Sequence, residues 1–190
     1  MSIAFLRQSL SEPKRIGAIT ESSDELAQLI VSMASLDTAK TVIELGPGTG
    51  VFTEQILTNL RPDTLFFALE TNLHFVEKTK ERCPDALVHH DSATEILRYL
   101  QLHGRKNTDT IISSLPFASF DEELQTKILR EIRASLSHNG EFLTFAYIHS
   151  IFLEEGKFFT KQLHAHFSHI RKSEIIWKNM PPAFVYYCKK

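Results

Sequence analysis

The decapeptide Thr41 to Gly50, TVIELGPGTG, does most to restrict what this chain can fold into. Val42, Ile43 and Leu45 are the β-branched and aliphatic material of a strand covered on both faces. The run stops at Gly46, Gly48 and Gly50, three glycines spaced two apart. From Val51 to Leu60 the apolar spacing becomes that of a helix. Strand, glycine turn and helix in that order imply a parallel neighbour and helices to cover it, which places the chain among α/β folds. The first turn of the helix leaves N–H groups without intrahelical partners. The glycines let a ligand come against the main chain without meeting a Cβ.

The rest of the chain repeats the alternation. Leu65 to Leu69 reads as a second buried strand ending at Glu70, Ala86 to His89 as a short third before Asp91, and Asp109 to Ser113 as a fourth opening into Ser114-Leu115-Pro116-Phe117. Glu141 to Tyr147 is the fifth. Helices are expected over Ser23 to Ser35, with Ser22 and Glu25 as a capping box, over Leu73 to Cys83, and over Phe120 to Ser137, which opens at Asp121 and is stopped by His138-Asn139-Gly140. Another covers Glu155 to His166. Ser173 to Trp177 and Phe184 to Cys188, either side of Pro181-Pro182, read as an antiparallel hairpin. The expectation is a Rossmann-like α/β fold: a mostly parallel seven-stranded sheet with an antiparallel C-terminal hairpin and helices on both faces. At 190 residues and 43% hydrophobic content the chain can bury one full core. Residues 1–20 read as an appended amphipathic segment, with Ile3, Leu6 and Leu10 near one side and Arg7, Lys14 and Arg15 following. Residues 21–190 read as the domain.

Two ligand classes suit a glycine turn of this kind: dinucleotides, held by their pyrophosphate, and S-adenosylmethionine. The spacing separates them. A dinucleotide fingerprint starting at Gly46 and Gly48 wants a small residue at position 51, where Val51 stands. Glu44, just before the glycines, suits a positively charged, amine-bearing cofactor better than a pyrophosphate. Glu70 ends the next strand 20 residues past Gly50, and as an acceptor-only carboxylate it can take both ribose hydroxyls. Asp91, at the end of the third strand, is placed to accept from the adenine amino group. Ser92 pairs with Glu95 as a capping box and is also kept with the cofactor-side residues. Glu44, Gly46, Gly48, Gly50, Glu70, Asp91 and Ser92 are thus the expected cofactor contacts.

Charge and composition exclude several classes. The formal net charge of -2 gives no overall basic field to attract nucleic acid, although the tail from Lys157 onward has Glu174 as its one acid. Two cysteines, Cys83 and Cys188, lie far apart, as reduced thiols of a cytoplasmic protein do. No apolar run approaches a transmembrane span, and the start has no signal-peptide pattern. His89, His90, His164, His166 and His169 have no spacing for convergent metal ligands, so no metal is expected.

With these residues in hand, the turn resembles motif I, E-x-G-x-G-x-G, of the class I S-adenosylmethionine-dependent methyltransferases. Nearly the whole chain is similar to the bacterial phospholipid N-methyltransferases of the soluble, Rhodobacter-like type. Phe5-Leu6 through Pro13 to Gly17-Ala18-Ile19 and Ser22-Ser23 resembles that family's opening, Ser113 to Phe117 its S-x-L-P segment, and Asn179 to Tyr186 its N-x-P-P-A-x-V-Y ending; Phe184 departs from it where a basic residue is expected. The resemblance implies methyl transfer to the amine of phosphatidylethanolamine by a cytoplasmic enzyme, peripheral on the inner membrane, that meets an anionic surface through its N-terminal segment. Its methyl-transfer site would be lined by Ser114, Leu115 and Tyr147, with His149 and Tyr186 as further lining candidates. The loop proline at Pro116 would leave carbonyls free for the amine. The alternatives are a ribosomal RNA adenine dimethyltransferase-like enzyme, whose N-L-P-F/Y motif would have Ser114 in place of asparagine, a small-molecule methyltransferase, or a silent cofactor-binding protein.

Overall fold

The computed structural model describes residues 23–190. The expected capping role of Ser22 and the amphipathic segment over 1–20 lie outside the described residues. Helix α1 (Asp24–Met33) is capped by Ser23, whose hydroxyl accepts from the Leu26 N–H at 3.2 Å. Strand β1 (Thr41–Leu45) is buried throughout. There follow α2 (Val51–Asn59), β2 (Leu65–Glu70), α3 (Leu73–Arg82), β3 (Val88–His90), α4 (Ile96–Leu102), β4 (Thr108–Ser113), α5 (Glu122–Ser135), β5 (Leu136–Tyr147), α6 (Glu154–His166), β6 (His169–Lys172) and β7 (Ala183–Lys189).

The seven strands form one sheet in the order β3-β2-β1-β4-β5-β7-β6. β1 to β5 are parallel, and β7 lies antiparallel between β5 and β6. The pleat divides the core. Val42, Phe66, Ala68, Ile112, Leu143 and Val185 point to one face and pack with residues of α1, α2 and α3. Ile43, Leu45, Phe67, Ile111, Phe142 and Tyr186 point to the other and pack with α4, α5 and α6. The sheet is thus covered twice, as its parallel strands require. Strand order reverses between β1 and β4, and in open α/β sheets such a reversal opens a crevice at the carboxyl edge of the strands.

Three expectations are corrected. The sixth strand is His169–Lys172, and Ser173 to Trp177 forms no strand: Ser173 donates its N–H to the Val185 carbonyl at 2.9 Å, and Ile176 makes an isolated bridge to Ala183. Helix α5 ends at Ser135, with Leu136 already paired to Thr108, because Leu136 is drawn into the core at 1% exposure. His138-Asn139-Gly140 therefore lies inside an irregular first part of β5 and does not stop the helix. Ser92 caps a short 3-10 turn by accepting from Thr94, while the Glu95 side chain reaches Thr94 and not the Ser92 N–H, so the capping box is not reciprocal.

Candidate functional site

Every parallel strand delivers one expected site residue to the same edge. β1 runs into Gly46, β2 ends at Glu70, β3 is followed by Asp91, β4 by Ser114, and β5 ends at Tyr147. Adjacent strand ends are held together by main-chain bonds: Gly46 N–H to Leu69 C=O at 2.9 Å, Asp91 N–H to Glu70 C=O at 3.0 Å, and Ser114 N–H to Leu45 C=O at 2.9 Å.

The turn itself is shaped by three positive φ angles, 73° at Gly46, 59° at Gly48 and 85° at Gly50, a region that costs other L-residues about 1–2 kcal/mol. The three glycines serve different ends. A Cβ on Gly46 would stand 2.8 Å from Leu115 Cδ2, so this glycine lets the Ser114-Leu115 loop close on the turn. A Cβ on Gly50 would crowd α3 at Thr79 and Arg82. At Gly48 nothing lies within 4 Å, which leaves a bare stretch of main chain facing open space. Thr79, buried in the middle of α3, donates to the Gly48 carbonyl at 2.9 Å and pins the turn from below.

Two carboxylates organise the site. Glu70 accepts from the Gly48 N–H at 3.3 Å and the Asn72 N–H at 2.9 Å. Burial raises its pKa above the ordinary value, and those N–H bonds, with His90, pull it part of the way back. Glu44 is fully buried. One of its oxygens accepts from the Thr53 hydroxyl at 2.7 Å, and Oε1 has no partner among the described residues. Burial, with a smaller contribution from the like charge of Glu70 and against the Thr53 bond, pushes its pKa from 4.5 to about 8. Ser114 Oγ is a second buried oxygen without a partner among the described residues.

The Glu44 shift has a measurable consequence. Because its folded pKa lies above the unfolded one, the folded state holds the extra proton between pH 4.5 and about 8. The stabilisation is fully present below that window and is lost as pH rises through it, by up to about 1.4 kcal/mol per pH unit. Urea unfolding of the protein followed from pH ~5 to ~8 is expected to show this decline, and Glu44→Gln to flatten it. An equal decline in the variant would move the titration to another group.

At the far end Asp91 Oδ1 accepts from the Ser92 N–H at 2.7 Å, and Oδ2 takes both the Tyr99 hydroxyl, at 3.1 Å, and the Arg98 guanidinium. Ser92 spends its hydroxyl on Thr94. On the opposite flank the Leu115 and Pro116 carbonyls accept from Phe117 and Ser119, so they are not free as expected, which leaves that of Ser114 without a main-chain donor among the described residues. Tyr147 is half-buried, stacks on His149 at 5.7 Å, and burial raises its phenol pKa. Tyr186 is 1% exposed and bonded to Thr160, a core residue that does not line the edge.

Sequence reasoning missed Thr53, Thr79, Arg98 and Tyr99. Thr79 carried a signal, a small polar residue on the apolar side of α3. The others sit one helical turn or more from the motifs they serve. Among the described residues no cluster of His, Cys, Asp or Glu is arranged to hold a metal ion.

The site fits S-adenosylmethionine. Open main chain at Gly48, an unpartnered oxygen on Glu44 and an acceptor pair on Glu70 suit a ligand with an ammonium and ribose hydroxyls. The Glu70 carboxylate, when ionised, would oppose a pyrophosphate at the same place.

Comparison with known proteins places the chain as follows. Residues 14–148 match the model of the family described as ribosomal RNA adenine dimethylase. The chain is 26% identical over 188 residues to an ornithine lipid N-methyltransferase from Singulisphaera acidiphila, covering 97% of this chain and 94% of that one. Among solved structures it is similar to an O-methyltransferase from Bacillus cereus in complex with SAH, with a TM-score of 0.72, 10% identity, and 98% and 88% of the two chains covered. It is also similar to TrmN from Thermus thermophilus, with a TM-score of 0.66 and 14% identity over 88% of this chain; it spans about half, 49%, of that one. At these identities the solved structures carry the fold alone.

Proposed function

The chain belongs to the ribosomal RNA adenine dimethylase family, and from that premise we propose that this S-adenosylmethionine-dependent methyltransferase acts on a lipid amine, with phosphatidylethanolamine as the first candidate. One observation carries the reading: the likeness to the lipid N-methyltransferase runs over 97% of the chain, whereas the match to the family model ends at residue 148. Ser114 supports it. An asparagine there would offer an amide donor and acceptor to an adenine amine, and a hydroxyl cannot hold both contacts in the same way.

In this reading Gly46, Gly48 and Gly50 let the main chain lie against the cofactor, Glu70 accepts the ribose hydroxyls, and Asp91, with Ser92 beside it, marks the adenine end. Glu44, protonated while the site is empty, would answer the ammonium, whose positive charge favours its ionised form. When bound, S-adenosylmethionine would supply a methyl group on a positively charged sulfur. The chain's own contribution is positioning, which can be worth about 7 to 11 kcal/mol. Ser114, through its free carbonyl and hydroxyl, and Leu115, by closing on Gly46, hold the amine side, and Tyr147 lines the approach. The amine attacks in its neutral form, having given the proton, of ordinary pKa roughly 10, to solvent water before it enters. Tyr147, with its pKa raised, stays a protonated phenol and orients the amine without deprotonating it. The protein is proposed to work from the water side of the membrane: no helix among the described residues is long and apolar enough to cross one.

A second reading, an RNA adenine N-methyltransferase, is favoured by the family match itself. One assay separates them. The purified chain, given methyl-labelled cofactor, is presented with vesicles of phosphatidylethanolamine, vesicles of ornithine lipid, and ribosomal RNA. Label in a lipid fraction is expected. Label in RNA alone would overturn the lipid reading and leave the cofactor site standing.

A further inference from the structure

We propose that His89 and His103, joined ring to ring, are positioning residues that hold Asp91 for the adenine through Tyr99, and that acid releases them; this rests on the placing of Asp91 at the adenine end above. Nε2 of His89 lies 3.1 Å from Nε2 of His103. The ring centroids are 5.3 Å apart, so the two nitrogens lie between rings that meet end to end. That is the arrangement of an N–H···N hydrogen bond, one ring donating and the other accepting. Among the described residues no third His, Cys, Asp or Glu joins them as a metal ligand.

The bond ties the end of α4 to β3. α4 has 7 residues, and the Glu95 side chain before it makes no capping bond; a helix of that length does not hold itself. His103 closes its last turn by donating its N–H to the Tyr99 carbonyl at 3.1 Å, which puts the two side chains on one face. Under that face the rings of Phe67, His89, Tyr99 and His103 pack together, with His89 4.3 Å from Tyr99 and His103 5.2 Å from Phe67. Tyr99 is 9% exposed, and its hydroxyl leaves this cluster to donate to Asp91 Oδ2. With Ser92 on Oδ1 and with Tyr99 and Arg98 on Oδ2, the direction of the carboxylate is set. A carboxylate so held accepts from an exocyclic amine and refuses a carbonyl in the same place. The hold on α4 therefore bears on which base is taken.

Protons decide whether the bond survives. In the neutral pair one Nε2 carries a hydrogen and the other a lone pair. A first extra proton settles on Nδ1 of the donor ring and leaves the bond as it was. A second has the accepting Nε2 to go to, and two N–H groups, each on a cation, then face each other. The end of α4 leaves β3 and draws Tyr99 from Asp91. Lys80 of α3 and Arg98 of α4 add positive charge around His89, Asp91 works against them, and Arg105 and Lys106 follow His103 in the chain. Burial first, then His103 and Lys80, hold the His89 pKa below its ordinary 6.5. A histidine kept neutral by the fold contributes fully above that value, and its contribution is lost as pH falls below it.

Base preference against pH, read on the whole protein, tests this. Calorimetric titration with S-adenosylhomocysteine and with S-inosylhomocysteine, its deaminated counterpart, gives a ratio of two dissociation constants. Glu44 and Glu70 face parts that the two ligands share, so their titration cancels in the ratio. At pH ~7.5 the adenine ligand is expected to bind ~10-fold or more tighter, the usual effect of a hydrogen bond to a charged group. By pH ~5 the ratio should fall at least ~5-fold. His103→Gln should flatten that profile, since an amide oxygen accepts from the His89 ring whether or not it is charged. Tyr99→Phe should lower the ratio at pH ~7.5 several-fold. A ratio that stays high and constant down to pH ~5 overturns the role of the pair and keeps Asp91 at the base. A decline that persists in His103→Gln assigns the titration to another group and overturns it too. An unchanged ratio in Tyr99→Phe breaks the link to Asp91. No preference at any pH, or no binding of either ligand, removes Asp91 from the adenine and the proposal with it.

Discussion

Glu70→Ala is expected to raise the dissociation constant for S-adenosylmethionine by about 100-fold or more, since two hydrogen bonds to an ionised carboxylate are worth about 1.5–3 kcal/mol each. The carboxylate has a double task. Its oxygens already accept from Gly48 and Asn72, so it holds the glycine turn in shape as well as offering acceptors to a ligand. Calorimetric titration measures the first task and the unfolding midpoint the second. An affinity within a fewfold of the unmodified protein would remove Glu70 from the ribose. A large loss of affinity together with a collapse in stability would reassign it to the turn alone. Glu70→Gln keeps one oxygen acceptor and should fall between.

Gly156→Ala is expected to cost about 3 kcal/mol of folding stability or more. Added methyls usually find room in helices, and alanine is the better helix former. Here the Cβ would stand 2.0 Å from the Ser150 carbonyl oxygen and 2.9 Å from its carbon, and both are backbone atoms that no rotamer can move. Gly104 supplies the contrast. Its φ is 68° and nothing lies within 4 Å of its Cβ, so Gly104→Ala pays only backbone strain of about 1–2 kcal/mol. Urea unfolding of the two variants side by side tests the claim, and equal losses would refute the steric account. Because Ser150 belongs to the turn between Tyr147 and Phe152, the damage should also reach the amine side of the site.

Legibility followed burial. β1, β2 and β4 announced themselves because a strand covered on both faces must be apolar throughout, and the glycines and acids that follow them fell at one edge as the parallel order requires. β6 escaped notice because His169-Ile170-Arg171-Lys172 is an edge strand with one apolar residue, while the more apolar Ile175 and Ile176 next to it spend themselves in a loop. The α5–β5 boundary was misread for a related reason. Asn139-Gly140 is good turn chemistry, but the pull of Leu136 into the core outweighs local preference. At the site the motif residues were legible, and their supports were not: Thr79 under Gly48 and Tyr99 against Asp91 are meetings made by packing, between residues 31 and 8 positions apart.

The position of β7 between β5 and β6 has a bearing on the order of assembly. β6 is synthesised before β7 yet, among the described residues, pairs with no other strand. A nascent chain that has extended as far as Lys172 therefore holds β5 with a bare edge and β6 with nowhere to go. Only when Ala183 to Lys189 arrives do both find partners at once. The closing of the sheet is a late, long-range event that waits on the last strand in the sequence, and until then the edge of β5 is the part of the molecule most open to pairing with a neighbour.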